Sequence, residues 1–165
     1  MGRGIDLVVW TVDPLRAPNA RLNFEKLGAT SHVYERNRYG DEFGAGLYGG
    51  MPTDRLHVDW EIASNRVRER LLFGTGQTDP GIAGTLPLWS LDLEAGRALV
   101  ELPADVDALL VADRDAALSW RMTLRQILEP AFEDGWRITG FIPRPGRKPG
   151  TSLYLLDRAD AKEHR

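Results

Sequence analysis

The sequence predicts an α+β fold of the wider α/β type, with a mixed, partly antiparallel sheet and flanking helices. Ile5 to Thr11 (IDLVVWT) is an almost continuous β-branched and aromatic run, which is typical of a strand buried on both faces of a mainly parallel sheet. Arg55 to Ile62 (RLHVDWEI) alternates apolar and polar residues, which indicates a strand with one wet face. Asp113 to Asp134 carries apolar residues at helical spacing, which predicts a long amphipathic helix.

The first strand leads directly into a short helix. Asp13-Pro14 offers a carboxylate at the N-cap and a proline at the first helical position, and Pro18 can restart the helix in the same way. The helix is expected from Pro18 to Leu27, and Gly28 supplies the left-handed residue that ends it. A second strand is expected from Thr30 to Tyr34.

The remaining elements extend the same order of strands and helices. A short arginine-rich helix is expected near Asn65 to Leu72, and Gly74 to Gly84 is rich in turn formers. A strand follows at Arg97 to Leu102, and Trp136 to Ile142 with Thr151 to Leu156 predicts a hairpin. The chain therefore divides into a β-α-β-β unit over residues 1–73, a linker over 74–84 and a second β-α-β-β unit over 85–165 that packs on the same sheet. Pro130 is expected to kink the long helix.

Composition places the chain among globular proteins and excludes several classes of site. The 165 residues are 42% hydrophobic and 27% charged, and the net charge of -3 gives no overall attraction for nucleic acid. The absence of cysteine excludes thiolate nucleophiles and Cys-ligated zinc, and the three histidines do not have metal-ligand spacing. No metal site is expected.

The N-terminus does not resemble a secretory signal, and no stretch approaches the ~20 apolar residues that span a bilayer. A cytoplasmic protein without a membrane partner is therefore expected.

One helix carries a family resemblance. Leu22 to Ala29 (LNFEKLGA) resembles a signature of the GNAT superfamily of N-acetyltransferases, whose pattern is close to A-x-x-L-Y-E-K-L-G-F, with Ala20 at its start. The wider string WTVDPLRAPNARLNFEKLGA, with the later YGD and MPTDRLHVDWE, looks like a bacterial branch of predicted GNAT enzymes that has an extra C-terminal region. The resemblance covers the whole chain, and its first unit matches the C-terminal half of a GNAT fold.

The resemblance implies acetyl-CoA as cofactor and a small-molecule or peptide amine as acceptor. The pantetheine arm would hydrogen-bond along the strand Ile5 to Thr11 as an added strand. The residues that would contact the cofactor on this reading are Trp10, Thr11, Asn19, Asn23 and Phe24. Asn19 and Asn23 are four apart on a predicted helix face, with a capping or solvent-facing role as the alternative.

The chain departs from the family pattern at two places. The motif that cradles the cofactor pyrophosphate, Q/R-x-x-G-x-G/A, is absent, because Gly2-Arg3-Gly4 has neither the required residue before it nor a helix after it. The sequence is thus expected to begin after the phosphate-binding loop. Phe24 occupies the position where the family often has the tyrosine that protonates the departing thiolate.

Two tyrosines are candidates for that missing acid. Tyr39 lies in the glycine-rich segment after the second strand, and Tyr34 lies on that strand. Either hydroxyl can serve as general acid if it lies within hydrogen-bond reach; the alternative is a tyrosine that only packs its ring.

Three polar residues share the wet face of the strand Arg55 to Ile62. His57, Asp59 and Glu61 are candidates for substrate binding, since carboxylates attract an ammonium group and a base must remove its proton; a solvated face is the alternative. Arg121 and Arg125, also four apart, are either a clamp for a phosphate or carboxylate or an ordinary charged helix face. Asp13 is expected to cap the Pro14 turn.

Two functions remain open at this level. The first is a GNAT-type N-acetyltransferase, or a truncated form of one. The second is a non-catalytic GNAT-derived module that binds a partner or forms a homodimer through an exposed sheet edge.

Overall fold

The computed structural model describes residues 4–41, 49–74, 89–92, 96–143 and 150–158. Seven strands form one sheet in the order β1-β3-β2-β6-β7-β5-β4, and each pairing between neighbours is antiparallel. The strands are β1 (Leu7–Val12), β2 (Thr30–Glu35), β3 (Arg55–Glu61), β4 (Trp89–Asp92), β5 (Arg97–Pro103), β6 (Trp136–Pro143) and β7 (Thr151–Arg158).

Four helical segments accompany the sheet in the described part of the chain. Helix α1 begins as an α-helix and continues as a π-helix, and the longest helix, α4, continues through Pro130. Their bounds are α1 (Ala17–Ala20, then Arg21–Lys26), α2 (Asn65–Phe73), α3 (Val106–Ala112) and α4 (Arg114–Glu133).

The α+β class predicted from the sequence is confirmed. The sequence predicted a mixed, partly antiparallel sheet, and all pairings among the described strands are antiparallel. The prediction that β1 is buried on both faces of a mainly parallel sheet is wrong. This strand has β3 as its one described partner, and about half of Leu7 and of Val9 is exposed. An apolar run does not distinguish a central strand from an edge strand, since both satisfy the same β propensity.

The two halves of the sheet have the same internal order. In β1-β3-β2 and in β5-β7-β6, the third strand of the unit lies between the first and the second. The halves join where β2 meets β6, with Ser31 opposite Ile138. Strand β4, which the sequence did not predict, pairs with the outer side of β5. The strands of both predicted units therefore lie in one sheet.

Helix α1 ends on the glycine that the sequence marks. Gly28 has a φ of 69°, the left-handed region that favours glycine. The amide of Leu27 donates to the carbonyl of Leu22 at 2.9 Å, five residues earlier, as in a π-helix. Arg66 of α2 donates to the carbonyls of Gly28 (2.8 Å) and Thr139, which ties α2 to the end of α1 and to β6.

The core lies between the sheet and the helices α1 and α4. Phe24 of α1 is fully buried and meets the ring of Tyr154 edge to face at 5.8 Å. Tyr154 also meets Phe141 at 6.4 Å, and its hydroxyl donates to the carbonyl of Pro14 at 2.6 Å. Phe24 therefore joins the first helix to strands of the second half.

Replacement of Phe24 tests this packing. Phe24→Ala should lower the free energy of unfolding by about 3–5 kcal/mol, because it removes a buried ring and leaves a cavity. Urea unfolding followed by tryptophan fluorescence measures the change. Leu22→Ala in the same helix is the control, since Leu22 is 54% exposed and its loss should cost less than about 0.5 kcal/mol. Equal effects of the two changes would contradict a core position for Phe24.

Candidate functional site

The strongest cluster of polar groups lies where β1 ends and β3 begins. The turn after β2 is held on the segment before β3, since the amide of Tyr39 donates to Oγ1 of Thr53 at 2.9 Å. The amide of Arg38 donates to the carbonyl of Thr53 at 3.1 Å, and that of Thr53 to Oδ1 of Asn37 at 3.2 Å. Asn37 has a φ of 43°, which an asparagine in a tight turn tolerates. These bonds fix Tyr39 beside the end of β1.

The hydroxyl of Tyr39 lies among donors and cations. A hydrogen bond with Thr11 is the largest influence on its pKa, and bonds with Arg55 and Arg38 add to it, so the pKa of Tyr39 is lowered although desolvation opposes this. The guanidinium of Arg55 lies 5.0 Å from the centre of the Tyr39 ring, and that of Arg38 lies 5.9 Å away. The surroundings therefore favour the phenolate of Tyr39.

A buried ion pair lies directly behind this cluster. Arg121 of α4 donates to both carboxylate oxygens of Asp13, at 2.7 and 2.8 Å. Arg55 reaches the same carboxylate at 3.6 Å and donates to the carbonyl of Asp54 at 2.8 Å. Asp13, Arg55 and Arg121 are each at most 7% exposed. Asp13 also accepts from the amide of Leu15 at 2.8 Å. Its carboxylate therefore has two roles, the predicted cap of the Pro14 turn and the ion pair with Arg121.

A second ion pair, whose carboxylate is fully buried and whose arginine is partly buried, lies one helical turn further along α4. Arg125 donates to both oxygens of Asp54, at 2.8 and 2.9 Å, and the amide of Asn37 and the hydroxyl of Tyr34 donate to the same carboxylate at 2.9 and 2.7 Å. Burial alone would raise the pKa of Asp54, but the bonds from Arg125, Asn37 and Tyr34 hold this pKa below its usual range. The two pairs show that Arg121 and Arg125 do clamp carboxylates, namely those of this chain.

The two candidate tyrosines differ in environment. Burial and then the neighbouring Asp54 raise the pKa of Tyr34, and its hydroxyl donates to that carboxylate. A proton held in this way is harder to give to a substrate. Tyr39 has the opposite shift and is 45% exposed. The two hydroxyls therefore differ in the direction of their pKa shift.

The predicted cofactor-contacting residues do not form a single surface. Thr11 lies beside Tyr39, and Trp10 packs edge to face on Trp60 at 6.4 Å. Asn19 is exposed but Asn23 is 3% exposed, so the two amides do not share one accessible surface. The expectation of an Asn19–Asn23 face is therefore wrong, and Phe24 is a core residue.

The three residues of the predicted substrate face differ in their partners. His57 is opposite Thr11 in the β1–β3 register, and Nε2 of His57 is 2.7 Å from Oε2 of Glu35. Hydrogen bonds with His57 and then Arg38 lower the pKa of Glu35. Asp59 lies 3.2 Å from Nδ1 of His32, and Glu61 is exposed. In the described part of the chain, no three His, Asp or Glu side chains are placed to hold a metal ion.

The sequence reasoning missed Arg55 and Asp54. Both lie in the string PTDRLHVDWE, where a charged pair directly precedes an alternating strand. The sequence pattern did not indicate that they are buried, but Asp54 is 0% and Arg55 is 5% exposed. Charges are seldom buried without partners, but the sequence does not name those partners, which lie far along the chain.

The pair of Asp54 with Arg125 predicts a pH dependence of stability. Because the pKa of Asp54 is lowered on folding, its contribution is present above the pKa of an unfolded aspartate, about 3.9, and is lost as the pH falls through the lower folded pKa. Asp54→Asn should lower the free energy of unfolding at pH 7 by about 3 kcal/mol. It should also flatten the decline between about pH 5 and pH 3.

Urea unfolding at several pH values measures both effects. Asp107→Asn is the control, since this carboxylate belongs to an exposed pair with Arg16 and should contribute less than about 1 kcal/mol. An Asp54→Asn protein with the pH slope of the unsubstituted chain would contradict the assignment.

Comparison with known proteins does not assign this chain to a family. No family model, curated protein or solved structure matches this chain. Among the described helices, none is long and apolar enough to cross a bilayer. Activity is therefore inferred from the residues around Tyr39 and from the sequence resemblance.

Proposed function

We propose that the protein is an acyltransferase of the GNAT type, which transfers an acetyl group from acetyl-CoA to a primary amine. One observation carries the proposal: the hydroxyl of Tyr39, the candidate acid, meets Thr11, a candidate cofactor contact, at the end of β1. The sequence indicates the two residues independently, Tyr39 as a proton donor and Thr11 as part of the cofactor strand. Their contact supports a transferase site at this end of β1.

Tyr39 suits the protonation of a thiolate leaving group. An ordinary tyrosine has a pKa near 10 and an alkyl thiol of the cysteine type one near 8.5. Thr11, Arg55 and Arg38 lower the pKa of Tyr39 from its ordinary value, which brings the donor nearer to the acceptor. Proton transfer is most effective when the two values are close and the donor is within hydrogen-bond reach.

The free side of β1 suits the pantetheine arm of the cofactor. Among the described strands β1 pairs with β3 alone, so every second residue directs its backbone amide and carbonyl away from the sheet. An extended ligand that carries amide groups can bind such an edge as an added strand. The edge ends at Thr11 and Tyr39, where the thioester would lie.

The acceptor amine would approach across the face that carries His57. The ammonium form must first lose a proton to water so that the free amine can attack the thioester carbon. The nitrogen of the tetrahedral intermediate must then lose a second proton, and His57, oriented by Glu35, is the proposed base that takes it. Asp59 and Glu61 on the same face of β3 would attract the ammonium form. The tetrahedral intermediate then breaks its carbon–sulfur bond, and the thiolate takes the proton of Tyr39.

A second candidate function is self-association through β1. Ile5, Leu7 and Val9 are 71%, 51% and 51% exposed, and Leu7–Val12 contains no charged residue that would oppose pairing with another strand. Light scattering after size exclusion, with Val9→Lys as the matched variant, tests this alternative. A dimer that Val9→Lys dissociates, in a protein without acetyl-CoA turnover, would favour the non-catalytic module.

Tyr39→Phe tests the transferase. The protein is incubated with acetyl-CoA and a panel of primary amines, and released CoA is measured with a thiol reagent, to which a chain with no cysteine gives no background. Loss of the hydroxyl should lower kcat by about 10²- to 10⁴-fold with little change in KM for acetyl-CoA. The melting temperature should fall by only a few degrees, because the half-exposed ring is retained and only the hydrogen bonds of the hydroxyl are lost.

Tyr34→Phe provides the comparison between the two tyrosines. It removes the hydrogen bond to Asp54, so it should lower the free energy of unfolding by about 1 kcal/mol and leave kcat unchanged. Unaltered turnover in Tyr39→Phe, or a large loss of kcat in Tyr34→Phe, would contradict the assignment of the acid. The transferase proposal itself would be refuted if acetyl-CoA did not raise the melting temperature, or if no CoA were released from it.

A further inference from the structure

A cleft of about 610 Å³ lies between helix α1 and the facing ends of β6 and β7. Leu22, Phe141 and Pro143 supply apolar surface there, and Arg21, Lys26 and Ser152 supply polar groups. The volume falls in the range of small-molecule sites, about 300–1,000 Å³. None of these residues belongs to the cluster around Tyr39, so the cleft is a separate feature of the fold.

Two cations at the cleft share one carboxylate. Glu25 accepts from Nε of Arg21 at 3.0 Å and lies 3.3 Å from Nζ of Lys26. The Glu25 side chain is 10% exposed, whereas those of Arg21 and Lys26 are 53% and 51% exposed. The carboxylate orients both cations but neutralises only one of them. One positive charge is therefore in excess at the rim.

Ser152 adds an unused hydrogen-bonding group to the wall. The residue is 5% exposed, and its hydroxyl makes no hydrogen bond to any residue in the described part of the chain. It lies on β7 between Leu102 of β5 and Pro143 of β6. Its oxygen is not among the fully buried unpaired atoms of the described residues, so a ligand or a water molecule in the cleft can reach it.

We propose that this cleft binds a small amphipathic carboxylate. The apolar body would lie against Leu22, Phe141 and Pro143, and the carboxylate would lie at the rim with Arg21 and Lys26. The hydroxyl of Ser152 would donate to the ligand. An uncharged molecule of the same size would leave the excess positive charge unpaired, and a short carboxylate would leave the apolar wall uncovered.

Isothermal titration with octanoate, supported by the shift in melting temperature, tests the proposal. Octanoate should bind and raise the melting temperature. Acetate, which lacks the apolar body, and octan-1-ol, which lacks the charge, should each bind at least about tenfold more weakly, a difference of about 1.4 kcal/mol. Binding of octan-1-ol as tightly as octanoate would overturn the proposal, as would the absence of octanoate binding.

Leu22→Glu is the decisive variant. Leu22 is 54% exposed, so the substitution should leave the fold intact while it places a negative charge in the cleft, and octanoate affinity should fall about tenfold or more. Leu72→Glu is the matched control, because Leu72 lies on α2, is 69% exposed and does not line the cleft, and it should retain full affinity. Ser152→Ala should weaken binding severalfold. Equal affinity in Leu22→Glu and Leu72→Glu would place octanoate elsewhere and refute the site. These outcomes are independent of acetyl transfer.

Discussion

Two buried arginine–aspartate pairs hold the architecture together. Arg121 and Arg125 lie one turn apart on α4, and they bind Asp13 after β1 and Asp54 before β3. A charge left without its partner in such a place costs several kcal/mol, so α4 has little freedom to slide or rotate on the sheet. Helix and sheet are thus fixed in one register by pairs that join the two halves of the chain.

The candidate site depends on the same pairs. Asp13 attracts Arg55, and Arg55 lies against the ring of Tyr39. Asp54 binds the amide of Asn37, which begins the turn that carries Tyr39. The long helix therefore acts on Tyr39 only through intermediate residues. A site on an edge strand gains its rigidity from charges buried behind it.

Residues of the same type differ in pKa or in exposure because their surroundings differ. Tyr34 and Tyr39 lie five positions apart, but one donates to a buried carboxylate and the other is surrounded by Thr11 and guanidinium groups. Their pKa values move in opposite directions for that reason. The same contrast divides Asn19, which is exposed, from Asn23, which is buried.

The sequence by itself determined the α+β class, the limits of most strands and helices to within one or two residues, and the glycine that ends α1. These features are local, because propensity, alternation and capping are properties of neighbouring residues. For Arg121 and Arg125 it left open a clamp for a phosphate or carboxylate and an ordinary charged helix face. Only the tertiary structure decided that β1 is an edge strand, that Phe24 packs on Tyr154 and that the two arginines bind Asp13 and Asp54. Each of these contacts joins residues far apart in the chain, and no local pattern specifies which distant group satisfies a buried charge.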